Sequence, residues 1–223
     1  MSEPAALPRA FYERPTERVA RDLLGKILIR RLPPGFAARS GVDVAAWSDG
    51  SGLVRARIVE VEAYLGERDA ASHARRGPTP RAAIMFGPPG FLYVYLIYVM
   101  YNCMNFVTER DGMAGAVLIR AAEPLWPASD TRNVSDIRNA PGVSRGHPLS
   151  GPGKLCSGLG ITLADKGLDL TTGGALFVTD AGGRAPRRAS SPRIGVDYAG
   201  DWAARPLRFY IPSNPHVSGQ PRI

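Results

Sequence analysis

Two carboxylates stand two residues apart in the run LVRARIVEVEAYLG, as Glu60 and Glu62, after a stretch that is apolar at every second position. Val54, Ala56 and Ile58 alternate with Arg55 and Arg57, the period of a β-strand with one buried face. Continued at period two, the alternation carries both glutamates onto the apolar face. An ionised carboxylate there is costly unless it is paired or opens onto a cavity. Two chemistries fit: ordinary ion-paired glutamates at a sheet edge, or a general base where a strand ends and its face opens into a cleft. Glu62, immediately before Ala63-Tyr64-Leu65-Gly66, is placed for the second.

Other residues extend the choice. His73 lies in a basic, irregular segment, ASHARRGPTPR. Taken alone, such a residue is more often a surface or capping histidine than a catalytic one. The three histidines, His73, His147 and His216, have no metal-ligand spacing, and the two cysteines, Cys103 and Cys156, form no zinc motif, so no metal is expected. The run YVYLIYVMY carries Tyr93, Tyr95, Tyr98 and Tyr101. Tyrosines on strands serve packing, but beside a basic segment they also supply faces on which nucleic-acid bases stack. Tyr95 and Tyr98, three apart, would leave a regular strand on opposite faces. The 28 basic and 20 acidic residues give a net charge of +8, which attracts polyanions, nucleic acid foremost. A basic protein without such a partner has the same composition.

The elements that must hold these residues read as follows. PTERVARDLLGK (15–26) has helix punctuation, with Thr16 able to cap, a stripe of Val19, Ala20, Leu23 and Leu24, and Gly25 to stop it. KILIRRL is a strand, and 33–52 is a Gly- and Ser-rich connection. Residues 53–62 form the alternating strand, 71–90 are irregular, and 91–108 form a strand or strand pair. The Asp-Gly of ERDG makes a tight hairpin turn leading into a strand over 114–125. Residues 127–150 read as an exposed loop, and a helix starts around Lys154. GLDLTTGGALFVTD reads as two short strands, and 193–212 as turn, short helix and final strand, followed by a loose tail. Many strands with few helices imply one α+β (mixed α/β) domain over 1–223, built on a curved sheet. No nucleotide-binding glycine loop is present, and no apolar run is long enough to span a membrane. The N-terminus has no secretory pattern and cysteine is scarce, so a cytoplasmic location is expected.

Taken together, the segments EVEAYLG, SHARRGPTPR, MFGPPGFLYVYLIYVMYNCMN, GAVLIRAAEP, GPGKL and RIGVDYAG, in that order over about residues 10–218, resemble the alkyladenine (3-methyladenine) DNA glycosylase family, in a bacterial form. The resemblance implies a curved antiparallel sheet with flanking helices and a protruding β-hairpin. It implies a monofunctional, cofactor-free enzyme acting as a monomer on double-stranded DNA containing damaged purines, flipping the base out and hydrolysing its bond to the sugar. On the matching motifs, Glu62 is the general base for the attacking water. Arg120 and the main chain near Ile194 help to hold that water, and Glu60 is a structural ion-pair partner. Tyr64, His73 and Tyr95 enclose the base, and Asn105 crowds the guanine amino group. Tyr98 is the wedge that fills the gap in the duplex, with Met100 beside it. Arg81 and Lys154 contact the DNA backbone, with Arg75 and Arg76 as additions.

The sequence departs from the better-known pattern at the hairpin, where Val99 replaces a glycine and Asn102 an apolar or aromatic residue, so a differently shaped tip is expected. The basic segment after His73 is also one residue shorter. Two rival functions are a non-catalytic nucleic-acid-binding module, which would not need a buried carboxylate, and a metal-dependent nuclease on Glu60, Glu62 and Asp69, which lacks further clustered ligands. A Schiff-base lyase is disfavoured by the placing of Lys26, Lys154 and Lys166.

Overall fold

A computed structural model describes residues 4–36, 52–125 and 149–219. Among these, the strands are β1 (Ile27–Arg31), β2 (Leu53–Tyr64), β3 (Leu92–Ile97), β4 (Tyr101–Val107), β5 (Ala116–Pro124), β6 (Leu176–Thr179), β7 (Ala189–Ser191) and β8 (Arg208–Tyr210). They form one curved antiparallel sheet in the order β3-β4-β5-β2-β1-β6, with β8 paired to β2 and β7 to β8. The helices are α1 (Arg9–Tyr12), α2 (Thr16–Leu23) and α3 (Pro152–Gly158). No helix among the described residues is long and apolar enough to cross a membrane.

One face of the sheet carries the main core. Val19, Ala20 and Leu23 of α2 and Leu155 and Cys156 of α3 pack there against β2, β4 and β5. Fully burying a side chain such as Leu23 stabilises by roughly 1.5–3 kcal/mol. Gly25, at φ 87°, ends the α2 turn as expected. Thr16, however, does not cap. It is the first helical residue, and its N–H and hydroxyl both donate to Glu109 Oε1 at 2.6 Å. A distant carboxylate thus takes the role that the local sequence assigned to Thr16.

The other correction to local reading concerns β2. Val54, Ala56 and Ile58 belong to the main core, but beyond them so do Val61 and Ala63. Pairing with β5 explains the change of phase: Ile58 faces Ala122, Glu60 faces Ala121, and Val61 faces Ile119. Val59 on β2 and Arg120 on β5 are the extra residues of two opposed β-bulges. At each bulge two consecutive side chains turn the same way. Glu60 and Glu62 therefore do not share the face of Val54, Ala56 and Ile58. They lie on the opposite face with Tyr64, and Arg120 is turned out of the core beside them.

Three smaller expectations also change. Only one strand, β6, forms within 167–180. Residues 108–115, not a tight Asp-Gly turn, connect β4 to β5. The tail is not loose as far as it is described: Val217 and Ser218 are buried. Most of the 127–150 segment, with His147, lies outside the described residues.

Candidate active site

β3 and β4 form a hairpin in which Ile97 pairs with Tyr101, leaving Tyr98, Val99 and Met100 as its tip. These three consecutive residues are 80%, 89% and 66% exposed and form an apolar projection. Tyr98 and Val99 have φ of 51° and 60°. Positive φ is strained for a β-branched residue, and Val99 occupies a conformation that glycine adopts freely. Next to the tip the Tyr101 ring lies against α3. A Cβ at Gly153 would come within 3.0 Å of that ring, so the close approach depends on glycine.

Below the hairpin lies a cavity of about 760 Å³, lined by Tyr64, His73, Arg81, Tyr93, Tyr95, Tyr98, Asn105, Arg120, Lys154, Ile194 and Tyr198 among others. Most of the residues singled out in the sequence thus meet in one place, although they come from β2, a 3-10 turn at His73–Arg76, β3, β4, β5 and α3. Met100 stays at the hairpin tip outside this lining.

Glu62 is fully buried and sits beneath the lining. Its Oε2 accepts the Tyr64 hydroxyl at 2.8 Å, and its Oε1 accepts the Ile194 N–H at 2.8 Å. Arg120 Nη1 lies 3.3 Å from the same Oε1. All three partners border the cavity. Burial and the neighbouring Glu62 charge push the Tyr64 phenol well above its ordinary range, so it stays a donor. Burial works to lower Arg120, but the carboxylates of Glu62 and Glu60 outweigh it and hold the guanidinium charged.

Glu60 is also fully buried and serves as an ion-pair partner. Its Oε1 accepts Arg120 Nε at 3.0 Å and Arg208 Nε at 2.7 Å. A buried carboxylate with two guanidiniums is compensated where a lone one would not be.

A second buried pair stands behind the site and was not picked out in the sequence. Arg193 Nη1 and Nη2 reach the two oxygens of Asp69 at 2.6 and 2.9 Å, with both side chains fully buried. Nη1 also donates to Ala63 O at 2.9 Å, and the guanidinium lies 4.7 Å from the centre of the Tyr64 ring. Arg193 precedes Ile194 in the chain, so this pair braces two of the three groups that hold Glu62. Asp69 is committed to Arg193. Among the described residues no cluster of His, Cys, Asp or Glu could hold a metal ion.

The aromatic wall is built from β3. His73 packs edge-on against Tyr95 at 4.6 Å between centroids, and its Nδ1 hydrogen-bonds the Tyr93 hydroxyl at 2.9 Å. Burial, helped by the Arg81 charge, pushes His73 down to about 4, so the ring is neutral near pH 7. Arg81 lies over the Tyr95 ring at 5.1 Å. Asn105 is buried and donates to Tyr93 O at 3.4 Å. Lys154 is exposed in the first turn of α3, at the edge of the cavity.

The family model described as methylpurine-DNA glycosylase (MPG) matches residues 41–215. A protein of Methanocella arvoryzae is 50% identical over 213 residues, covering 95% of both chains. One from Anaeromyxobacter dehalogenans strain 2CP-1 is 47% identical over 216 residues, 96% of this chain and 86% of its own. One from Myxococcus xanthus is 42% identical over 217 residues, 96% of this chain and 94% of its own. All three bear the name "Putative 3-methyladenine DNA glycosylase". With a fold of the kind expected, a matching family model over most of the sequence and relatives this similar along nearly its full length, the chain belongs to the methylpurine-DNA glycosylase family.

Proposed function

We propose that the protein is a DNA base-excision repair glycosylase that takes a damaged purine out of duplex DNA into the cavity and hydrolyses its bond to the sugar. The observation that carries this reading is the setting of Glu62. A carboxylate offers about four lone-pair sites. Tyr64 and Ile194 fill two by hydrogen bonds and Arg120 lies in ion-pair contact with Oε1, which leaves a lone pair on Oε2 free for a water at the cavity floor. In the proposed step the water oxygen bonds to C1′, the C1′–N bond breaks, and its electron pair leaves with the base. Glu62 takes the water's proton and stabilises the positive charge that builds on the sugar. The product is an abasic site, and no lysine is needed.

Tyr64, Tyr95 and neutral His73 would enclose the flipped base. Stacking accepts varied purines because each has a π-face. Damaged bases pair and stack less well, so flipping them costs less. Asn105, fixed by Tyr93 O, would crowd a guanine 2-amino group. Tyr98 at the hairpin tip would enter the duplex in place of the lost base, with Met100 beside it. Arg81 and Lys154 would contact the backbone. The proposed partner is double-stranded DNA, bound by a monomer.

The test is single-turnover release from duplexes carrying 3-methyladenine, hypoxanthine or etheno-adenine, with excess enzyme and a chelator. Wild type is expected to release at least one of these bases. Glu62→Gln is expected to bind the same duplex and release none. Equal release by both proteins would remove Glu62 as the base. No release by wild type, with DNA bound, would favour a binding module.

A further inference from the structure

The C-terminal residues beyond the family match, which ends at 215, reach into the catalytic strands. Val217 packs on Val59 and Ala121, the residues at the two bulges. Ser218 is buried, and each of its polar groups has a partner. Its N–H donates to Glu60 Oε2 at 2.6 Å and its hydroxyl to Glu60 Oε1 at 3.0 Å. Its carbonyl accepts Arg208 Nη2 at 2.6 Å, and its Oγ accepts Arg120 Nη2 at 3.4 Å. Asn214 Nδ2 anchors the segment to Glu123 at 3.3 Å.

Arg120 is thereby divided. Its Nε donates to Glu60 and its Nη2 to Ser218, and Nη1 is left facing Glu62 in an ion pair at 3.3 Å. A guanidinium facing a carboxylate without such restraint pairs through two parallel bonds. That pairing would take up the lone pair on Glu62 that a water needs.

We infer that the C-terminal segment, acting through Ser218, is a positioning element of the active site that holds Arg120 in a single ion-pair contact with Glu62. Its activity readout rests on the proposed glycosylase reading, so the experiment includes a second readout. Ser218→Ala removes the hydroxyl and keeps the backbone bonds, and Ser218→Thr retains a hydroxyl. Single-turnover release, DNA affinity and thermal unfolding are measured for wild type and both variants. Exchange of the Arg120 Nε–H with solvent is followed by NMR.

Ser218→Ala is expected to fold and to bind lesion DNA within about twofold of wild type. Its release rate is expected to fall about tenfold, the factor that one hydrogen bond to a charged group carries. Ser218→Thr is expected to recover most of that loss, and the Arg120 Nε–H to exchange faster in Ser218→Ala alone. Unchanged release and unchanged exchange would overturn the inference. So would a loss of rate matched by an equal loss of binding or folding, which is what a merely structural role produces. If wild type releases no base, the glycosylase reading falls and the exchange measurement alone decides the inference.

Discussion

Tyr64 and Glu62 stand two residues apart on one face of β2, and the phenol of the first donates to Oε2 of the second at 2.8 Å. One side chain thus offers a stacking face to the cavity and a hydrogen bond to the carboxylate. Tyr64→Phe separates the two roles. It is expected to bind lesion DNA as wild type does and to release base about 10- to 100-fold more slowly, the worth of a hydrogen bond to a charged group. Single-turnover rates beside binding isotherms check this, and equal rates would show that the bond is idle.

The Asp69–Arg193 pair is fully buried on both sides. Asp69→Ala leaves a buried guanidinium without its carboxylate and is expected to cost about 3–5 kcal/mol in unfolding free energy. Urea denaturation reads it directly, and a change under 1 kcal/mol would mean that water reaches Arg193.

His73 gives a pH dependence with a defined sign. Its folded-state value, about 4, lies below the ordinary 6.5. Between these values the unfolded chain binds more protons, so stability rises with pH across the window. The contribution is fully present above 6.5, falls as pH drops, and is gone below about 4. His73→Gln should lack this slope. Unfolding curves of the two proteins at several pH values from 7 to 4 should converge or cross toward the acid end. Parallel behaviour would contradict the neutral, half-buried imidazole.

Val99→Gly relieves the positive φ at the hairpin tip. Strain of about 1–3 kcal/mol is offset in part by the roughly 0.5–1 kcal/mol that glycine's freedom costs. A net stabilisation of about 1 kcal/mol is expected in chemical denaturation, and a loss of stability would place the strain elsewhere.

Lys154 and Arg81 should separate by salt. Lys154→Ala is expected to lower the log-log salt slope of DNA binding by about one unit and to leave base release from saturated enzyme unchanged. Arg81, which also lies over the Tyr95 ring, should alter both when replaced by Ala. Anisotropy titrations at several salt concentrations, with release assays beside them, make the comparison.

Much of this was legible in the sequence. The alternation before Glu60 located β2, the aromatic run gave β3 and β4, and the quoted motifs named residues that now line one cavity. What the sequence hid is non-local or masked by chemistry. Val59 is apolar, so the extra residue at the bulge leaves the hydrophobic pattern looking continuous while the faces exchange. Arg193 finds Asp69 across 124 residues of chain, a distance no spacing rule covers. Glu109 takes over the start of α2 from 93 residues away, and Ser218 has no local pattern at all. Each of these partners was found only when folding brought the charges together.

The opposed bulges at Val59 and Arg120 carry a consequence for how such a protein can be inherited. Register is the same before and after them, since one extra residue in each strand cancels the other. Deleting either residue alone would leave the faces of both strands in place and reduce the opposed pair to one bulge, so the loss falls on the side chain removed: the packing of Val59 on Ala121 and Val217 in one case, the guanidinium beside Glu62 in the other. The two extra residues can therefore be lost separately without exchanging the faces of the sheet. A relative with a gap at Val59 is therefore expected to keep Glu62 toward the cavity, and one with a gap at Arg120 to keep the sheet and lack the guanidinium beside Glu62.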